Sequence, residues 1–256
     1  MCLVVVAFNA NAENPLLVAA NRDEFHARPT LAADWWSDHP DIIAGRDLQA
    51  GGTWLGVNRN GRFATITNFR EAMSRSSKLR SRGHLVTEFL HSDLSPTQYL
   101  ATINGENYAG FNLLVTDGTS LAYLSNRGGK LQELQAGIYG ISNATLDTPW
   151  EKVERSKTRL ASLLEKGQVN ETHLLRLLDD RQKGPVDEVD GNRLPFAIAH
   201  AITAPFIVTP EYGTRCSTVI RAQRSGKWHF QERRFDPAGK NTGDSKFSFR
   251  VSANGQ

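Results

Sequence analysis

The sequence has almost no cysteine: Cys2 and Cys216 are the two thiols in 256 residues. A disulfide framework is therefore not expected, the paired Cys/His spacing of a structural zinc site is absent, and no Cys-x-x-Cys-His motif exists to attach haem covalently. Such cysteine usage points to a reducing, cytoplasmic setting. Long apolar runs are missing as well; none approaches the ~18 residues of a membrane-spanning helix, so no transmembrane segment is expected. Residues 1–8 lack the basic start and cleavage site of a secretory leader and read as a strand. An excess of one charge is also lacking, with a net +3. Arg75, Lys78, Arg80 and Arg82 do gather in a Ser-rich stretch, which reads as a solvated loop or an anion patch. No nucleic-acid-binding motif accompanies them, so no nucleic-acid partner is expected.

What is present fits one globular domain over residues 1–256: 39% hydrophobic, 22% charged, and long enough to bury most of its apolar surface. Residues 3–8 are β-branched and apolar, residues 9–15 carry turn formers, and residues 16–20 form a second apolar strand, giving a hairpin that begins at Cys2. The stretch holding Trp35 and Trp36 reads as irregular, its two rings either core or a partner anchor. Residues 51–57 and 62–67 read as strands joined through Asn60-Gly61, a hairpin signal. Helical spacing occupies residues 82–91 and 96–103, and strand character returns at 111–116, 121–125 and 138–142. Asp147-Thr148-Pro149 opens a long amphipathic helix, with Pro149 suited to its first position and Gly167 to its stop, and a second helix covers 171–178. Residues 179–196 are charged and rich in Gly and Pro, an excursion over the surface or near a pocket mouth. Residues 214–222 and 227–235 form a hairpin about Ser225-Gly226. Strand clusters on either side of helical blocks predict a layered α+β domain.

Cys2 has a specific chemical possibility, because removing Met1 would leave a thiol and a free α-amine on one residue. An α-amine titrates near ~7.7–8.0 and so supplies base to the thiol without any histidine. The bland reading is an inert buried hydrophobe. The neighbours argue otherwise: the second strand ends in Asn21-Arg22-Asp23-Glu24, and a hairpin returns that end beside Cys2. Arg22 there would lower the thiol pKa while Asp23 oriented the amine. An exposed salt-bridged turn is the alternative.

These residues also carry a resemblance. Met1-Cys2, the Asn-Arg-Asp-Glu quartet, Gly52-Thr53-Trp54-Leu55-Gly56, Ser142-Asn143, Thr148-Pro149-Trp150 and Tyr212-Gly213-Thr214-Arg215 resemble the NRDE family, also called the transport-and-Golgi-organisation family, nearly end to end. More distantly, Met1-Cys2 with its hairpin, residues 56–61, Thr67-Asn68-Phe69 and Ser142-Asn143 are similar to the cysteine N-terminal-nucleophile (Ntn) hydrolases, which include bile salt hydrolases, penicillin V acylases and acid ceramidases. That group ends its second strand in Arg-Asn-x-Asp. Here Asn21 and Asp23 fall on the Asn and Asp, Ala20 stands at the Arg position, and Arg22 sits beside the Asp.

The resemblance implies an Ntn hydrolase-like four-layer αββα sandwich. It implies Cys2 as nucleophile, Asp23 as partner of its amine, Arg22 beside the thiol, and Asn68 and Asn143 in an oxyanion hole, although as lone residues the two asparagines read as strand-end turn formers. Asn21 and Glu24 are candidates to meet a small-molecule amide or acyl substrate, and Arg215 either meets an anionic group of it or pairs with an acid. Such an enzyme requires no cofactor. The NRDE resemblance also implies the alternative of a non-catalytic carrier, for haem trafficking or for a lipid-like acyl compound, with haem bound reversibly. His26, His39 and His200 are then either iron ligands or structural histidines.

Overall fold

The computed structural model describes residues 2–71, 79–185 and 195–251. β1 (Leu3–Phe8) is buried at every position, because its β-branched run serves two hydrophobic layers at once. Val4, Val6 and Phe8 enter a core between two sheets, while Val5 and Ala7 face a layer of helices. β2 (Leu16–Phe25) follows the same alternation: Leu16, Val18 and Ala20 go to the first layer, Leu17 and Ala19 to the second. The polar quartet expected to follow this strand lies inside it. Its backbone is paired as far as Phe25, which sits opposite Tyr212 of β11 (Tyr212–Ala222), so polar side chains cost the ladder nothing there.

The first sheet has the order β10-β1-β2-β11-β12-β13, with β10 (Gly137–Ile141), β12 (Lys227–Phe235) and β13 (Asn241–Arg250) completing it. The second runs β3 to β9 in chain order: β3 (Thr30–Trp35), β4 (Ile42–Asp47), β5 (Leu55–Asn58), β6 (Phe63–Asn68), β7 (Phe111–Thr116), β8 (Leu121–Ser125) and β9 (Gln132–Leu134). Every pairing is antiparallel. α1 (Gly83–His91) and α2 (Pro96–Ala101) cover the outer face of the second sheet through Leu85, Phe89 and Leu100. α3 (Glu151–Glu165) and α4 (Glu171–Leu178) cover the first sheet through Leu160, Leu174 and Leu178. The four layers are thus helix, sheet, sheet, helix. α4 has only eight residues, too few to hold alone in water, so its buried leucines and the Asn170 cap on the His173 N–H keep it helical. A short α5 (Phe196–Ala201) packs with Ile207 in a small separate cluster.

Several local expectations change. Residues 30–47, read as irregular, form β3 and β4. Their tryptophans diverge as a pleat requires: Trp36 is buried against the outer helices and donates to the Ala44 carbonyl at 2.9 Å, while Trp35 meets the rings of Phe247 and Phe249. α3 starts at Glu151 with Trp150 as its cap, so Pro149 is not its first residue. Instead, Asp147 takes a positive φ of 54°, and its N–H and carboxylate bind both backbone groups of Gly140 at 2.8 Å. The readings made for Met1, Arg75, Lys78 and residues 186–194 lie outside the described residues. No helix among those described is long and apolar enough to cross a membrane.

Candidate active site

The β1–β2 register pairs Leu3 with Asn21, which sets Cys2 opposite Arg22. Because side chains alternate, Cys2, Arg22 and Glu24 point toward the space between the sheets, and Asn21 and Asp23 point toward the helices. On its other side Arg22 is opposite Cys216, and Asp23 is opposite Thr214. One residue, Arg215, is extra between these two pairs. This bulge lets Thr214 face Asp23 while Arg215 turns toward the rim, a re-aiming that bulges commonly perform near functional sites.

A cavity of about 520 Å³ opens at this end of the sandwich, bounded by the ends of β2, β6, β11 and β12 and by the segment entering α1. Cys2, Arg22, Asp23, Glu24, Asn68 and Arg215 all line it. Asn21 and Asn143 do not. Asn21 is fully buried on the helix side, donating to the carbonyls of Leu178 (3.0 Å) and Pro205 (2.8 Å) and accepting from Ser217 Oγ (2.6 Å). With these bonds it fastens the helix layer to β2, and the substrate-contact role expected of it has no geometric basis.

Asn143 is buried beside Cys2 and donates its amide to the backbone carbonyl of Asn68 at 2.7 Å. The Arg70 N–H binds the Asn143 carbonyl at 2.7 Å, Thr67 Oγ1 donates to the Ser142 carbonyl at 2.6 Å, and Ser142 Oγ donates to the Cys2 carbonyl at 2.7 Å. These bonds stitch the ends of β6 and β10 together across the two sheets, next to Cys2. The Asn68 side chain makes no hydrogen bond among the described residues and faces the cavity.

Cys2 is 9% exposed, and its Sγ lies 3.9 Å from the Asp23 carbonyl. Burial pushes the thiol up from its ordinary value, Asp23 adds to the rise, and Arg22 opposes it. The expectation of a lowered thiol pKa is therefore overturned in this state, because desolvation outweighs the nearby guanidinium. Asp23 is pushed up to about 6, again by burial, against the opposing effects of Lys152, the Thr214 hydrogen bond and Arg22. Its Oδ1 accepts from Thr214 Oγ1 at 2.6 Å, and its Oδ2 is buried with no hydrogen-bond partner among the described residues. An orphaned buried carboxylate oxygen calls for a donor, and a cation is the donor that best offsets its desolvation.

The structure adds residues that the sequence reading passed over. Thr214 fixes Asp23, Cys216 lies across Arg22, and buried Glu232 accepts from the Ala33 N–H at 2.9 Å at the cavity wall. Arg82 joins the wall from the start of α1. Thr214 stood inside a quoted motif and Arg82 inside the basic stretch, but nothing local marked their direction. Of the histidines, His26 binds the Thr209 carbonyl at 3.1 Å, His39 packs on His91, and His200 packs on Phe196; none lines the cavity. Among the described residues no three His, Cys, Asp or Glu side chains are grouped to hold a metal.

The family model for Transport and Golgi organisation 2 matches residues 1–237. The chain belongs to the Transport and Golgi organisation 2 family. It is 35% identical over 257 residues to the Transport and Golgi organization protein 2 homolog of Bos taurus, covering 91% of this chain and 92% of that one. With the Homo sapiens homolog it shares 34% over 256 residues, with the same coverage. Among solved structures it is similar to the C2A mutant of a conjugated bile acid hydrolase from Clostridium perfringens, at a TM-score of 0.53, 9% identity and 98% coverage of each chain. That likeness is one of fold: the chain has the Ntn hydrolase-like architecture. The departure at Ala20 has a physical reading in this fold: Ala20 faces the apolar core, with no exposure, whereas Arg22 lies on the same face one pleat nearer the cavity. A guanidinium at position 22 therefore avoids burial among hydrophobic side chains.

Proposed function

We propose that this protein is a cysteine hydrolase or acyl transferase that acts on an amide or acyl bond through Cys2, once Met1 has been removed. The observation that carries the reading is the unpartnered Oδ2 of Asp23, buried beside the N-terminal end of β1. The amine of a processed Cys2 would donate an N–H to it, and the ammonium formed when that amine takes the thiol proton would be held there by the carboxylate. A free amine on Cys2 takes the Sγ proton, and the thiolate attacks the substrate carbonyl carbon. The tetrahedral oxyanion receives a hydrogen bond from the side-chain amide of Asn68, which Asn143 holds in place through the backbone. As the C–N bond breaks, the Cys2 ammonium returns its proton to the leaving amine. Water, deprotonated by the same amine, then releases the acid and restores the thiol; an acceptor amine or alcohol in its place gives acyl transfer. The raised thiol pKa fits this sequence, because a thiol that ionises only as its base accepts the proton is protected from adventitious oxidation. The cysteine at the second position of the structurally similar bile acid hydrolase, replaced in its C2A mutant, also supports the reading.

The test is to incubate the processed protein and Cys2→Ala with amides and thioesters of graded acyl length, and to follow intact mass. An acyl adduct confined to the protein that retains Cys2 is expected, together with near-complete loss of turnover in the variant. If no substrate labels Cys2 while both proteins take up haem and hand it to an apo-acceptor, the carrier reading replaces this one.

A further inference from the structure

The cavity at Cys2 has a charge pattern that the acyl chemistry does not use. Among the described residues six arginines and four carboxylates line it. Three of the arginines have local partners. Arg28 holds Asp47 at 2.6 Å, Arg80 holds Glu88 at 2.8 Å, and Arg234 binds Ser245 Oγ at 2.8 Å with Glu232 at 3.9 Å. Among the described residues the other three have no carboxylate within hydrogen-bond distance. Arg22 is 7% exposed, makes no hydrogen bond, and has a carboxylate no nearer than Glu24 at 3.9 Å. Arg82 uses Nη1 on the Gly110 carbonyl at 2.9 Å and meets no carboxylate. Arg215 uses Nη1 on the carbonyls of Phe25 and Arg28, at 2.9 and 3.1 Å, and likewise meets none.

A guanidinium carries five N–H donors, so Arg82 and Arg215 each keep an unused edge, and Arg22 keeps all of its donors. Arg22 is buried and Arg82 and Arg215 are half-buried, and three guanidiniums so incompletely matched around one cavity set up a positive field that an anion can use. Burial pushes both Arg82 and Arg215 down from their ordinary values, against the opposing pull of Glu71 and Glu24 on Arg82 and of Glu24 on Arg215. Of the four cavity acids, Asp47 is taken by Arg28, Asp23 turns to Thr214 and Glu232 binds the Ala33 N–H, which leaves Glu24, 3.9 Å from both Arg22 and Arg28, against the three guanidiniums. The placement also looks arranged. The bulge aims Arg215, the hairpin register aims Arg22 from the first sheet, and Arg82 comes from the helix layer beyond the second.

We infer that Arg22, Arg82 and Arg215 form an oxyanion cradle that selects substrates bearing an anionic head, a carboxylate, sulfonate or phosphate, on the acyl compound whose carbonyl meets Cys2. This rests on the hydrolase reading for the word substrate, while the cradle itself is a binding property. Planar forked donors suit such oxygens better than lysines would. Glu24, 3.9 Å from Arg22, keeps the empty cradle from repelling itself and yields when a stronger anion enters.

The experiment uses the full-length Cys2→Ala protein, so that turnover plays no part, and calorimetric titration with four decanoyl amides that differ only in the head: carboxylate, sulfonate, phosphate and neutral carboxamide. At least one anionic head is expected to bind roughly 10- to 100-fold tighter than the carboxamide, with the gap shrinking as salt rises from 0.05 to about 0.5 M. Arg82→Gln and Arg215→Gln should each shrink the gap about fivefold or more, whereas Arg80→Gln, whose charge is already matched by Glu88, should leave it within about twofold. Which anion wins identifies the head. Equal affinity for all four heads, absence of binding by all four, or an equal response to Arg80→Gln overturns the cradle. Anion preference without acylation of the unmutated protein leaves the cradle standing and removes the hydrolase; acylation without anion preference does the reverse.

Discussion

Asp23 joins the fold to the chemistry through one buried carboxyl whose two oxygens have different fates. Its native pKa of about 6 lies above its ordinary 3.8, so between those values the native state binds more protons than the unfolded chain. The contribution is therefore fully present below pH 3.8 and is lost as pH rises through about 6, a change on the order of 3 kcal/mol by neutrality. In urea titrations the stability of Asp23→Asn relative to wild type should rise by this order between pH 4 and 7. A difference that stays flat across that range would sink the burial account. Turnover should move the other way and fall as acid protonates Asp23. Asn68 and Asn143 separate just as clearly. Asn68→Ala should lower kcat roughly 10²–10³-fold with little change in melting temperature, since its side chain makes no hydrogen bond among the described residues. Asn143→Ala should lower both, because it also leaves the Asn68 carbonyl without a buried partner, at about 1–3 kcal/mol. Equal melting temperatures for the two variants would refute this division.

At the scale of elements, the site depends on a close approach between glycines. A Cβ on Gly52 would lie 2.5 Å from the carbonyl carbon of Gly83, the first residue of α1, and backbone there has no rotamer to escape into. Gly52→Ala should therefore displace α1 and the adjoining Arg82, lower stability by about 1–3 kcal/mol, and raise KM more than it lowers kcat. A thermal melt with steady-state kinetics checks both parts. Which elements were legible follows from where their stability comes from. β1, β7, β8, α4 and β12 match their expected bounds because their own apolar pattern marks them. β13 went unseen: it is an edge strand with no buried residue, held by Phe247 and Phe249 against Trp35 and Trp228, partners that periodicity does not reveal. The strand through the polar quartet was hidden for a similar reason, since its extension comes from β11, nearly two hundred residues later. Cys2, Arg22 and Asp23 were readable together because a hairpin makes them neighbours. Thr214 needs a bulge and a contact across 191 positions, and Arg82 needs the packing of a helix onto the other sheet.

At the scale of the molecule, the first strand lies in the interior of its sheet. β1 lies between β10 and β2, not at an edge, and its beginning opens on the cavity that Cys2 lines. The proposed base is the amine of Cys2, so anything covalently ahead of Cys2 removes it by turning it into an amide, which has no proton affinity near neutrality. A protein carrying an uncleaved N-terminal tag should therefore fold normally yet show neither acylation of Cys2 nor turnover, while the same tag at the C-terminus should leave both intact. Bulk alone could block the cavity, and a single added glycine distinguishes the two causes. Gly placed directly before Cys2 adds almost no volume but moves the amine one residue away, and it should be as inactive as the full tag. Its melting temperature should remain within a few degrees of the processed protein, because no buried side chain has changed. Proteolytic exposure of Cys2 should then restore acylation in full. If the glycine-extended protein turns over substrate at the rate of the processed one, the amine is not the base, and a side chain of the cavity must take the proton instead.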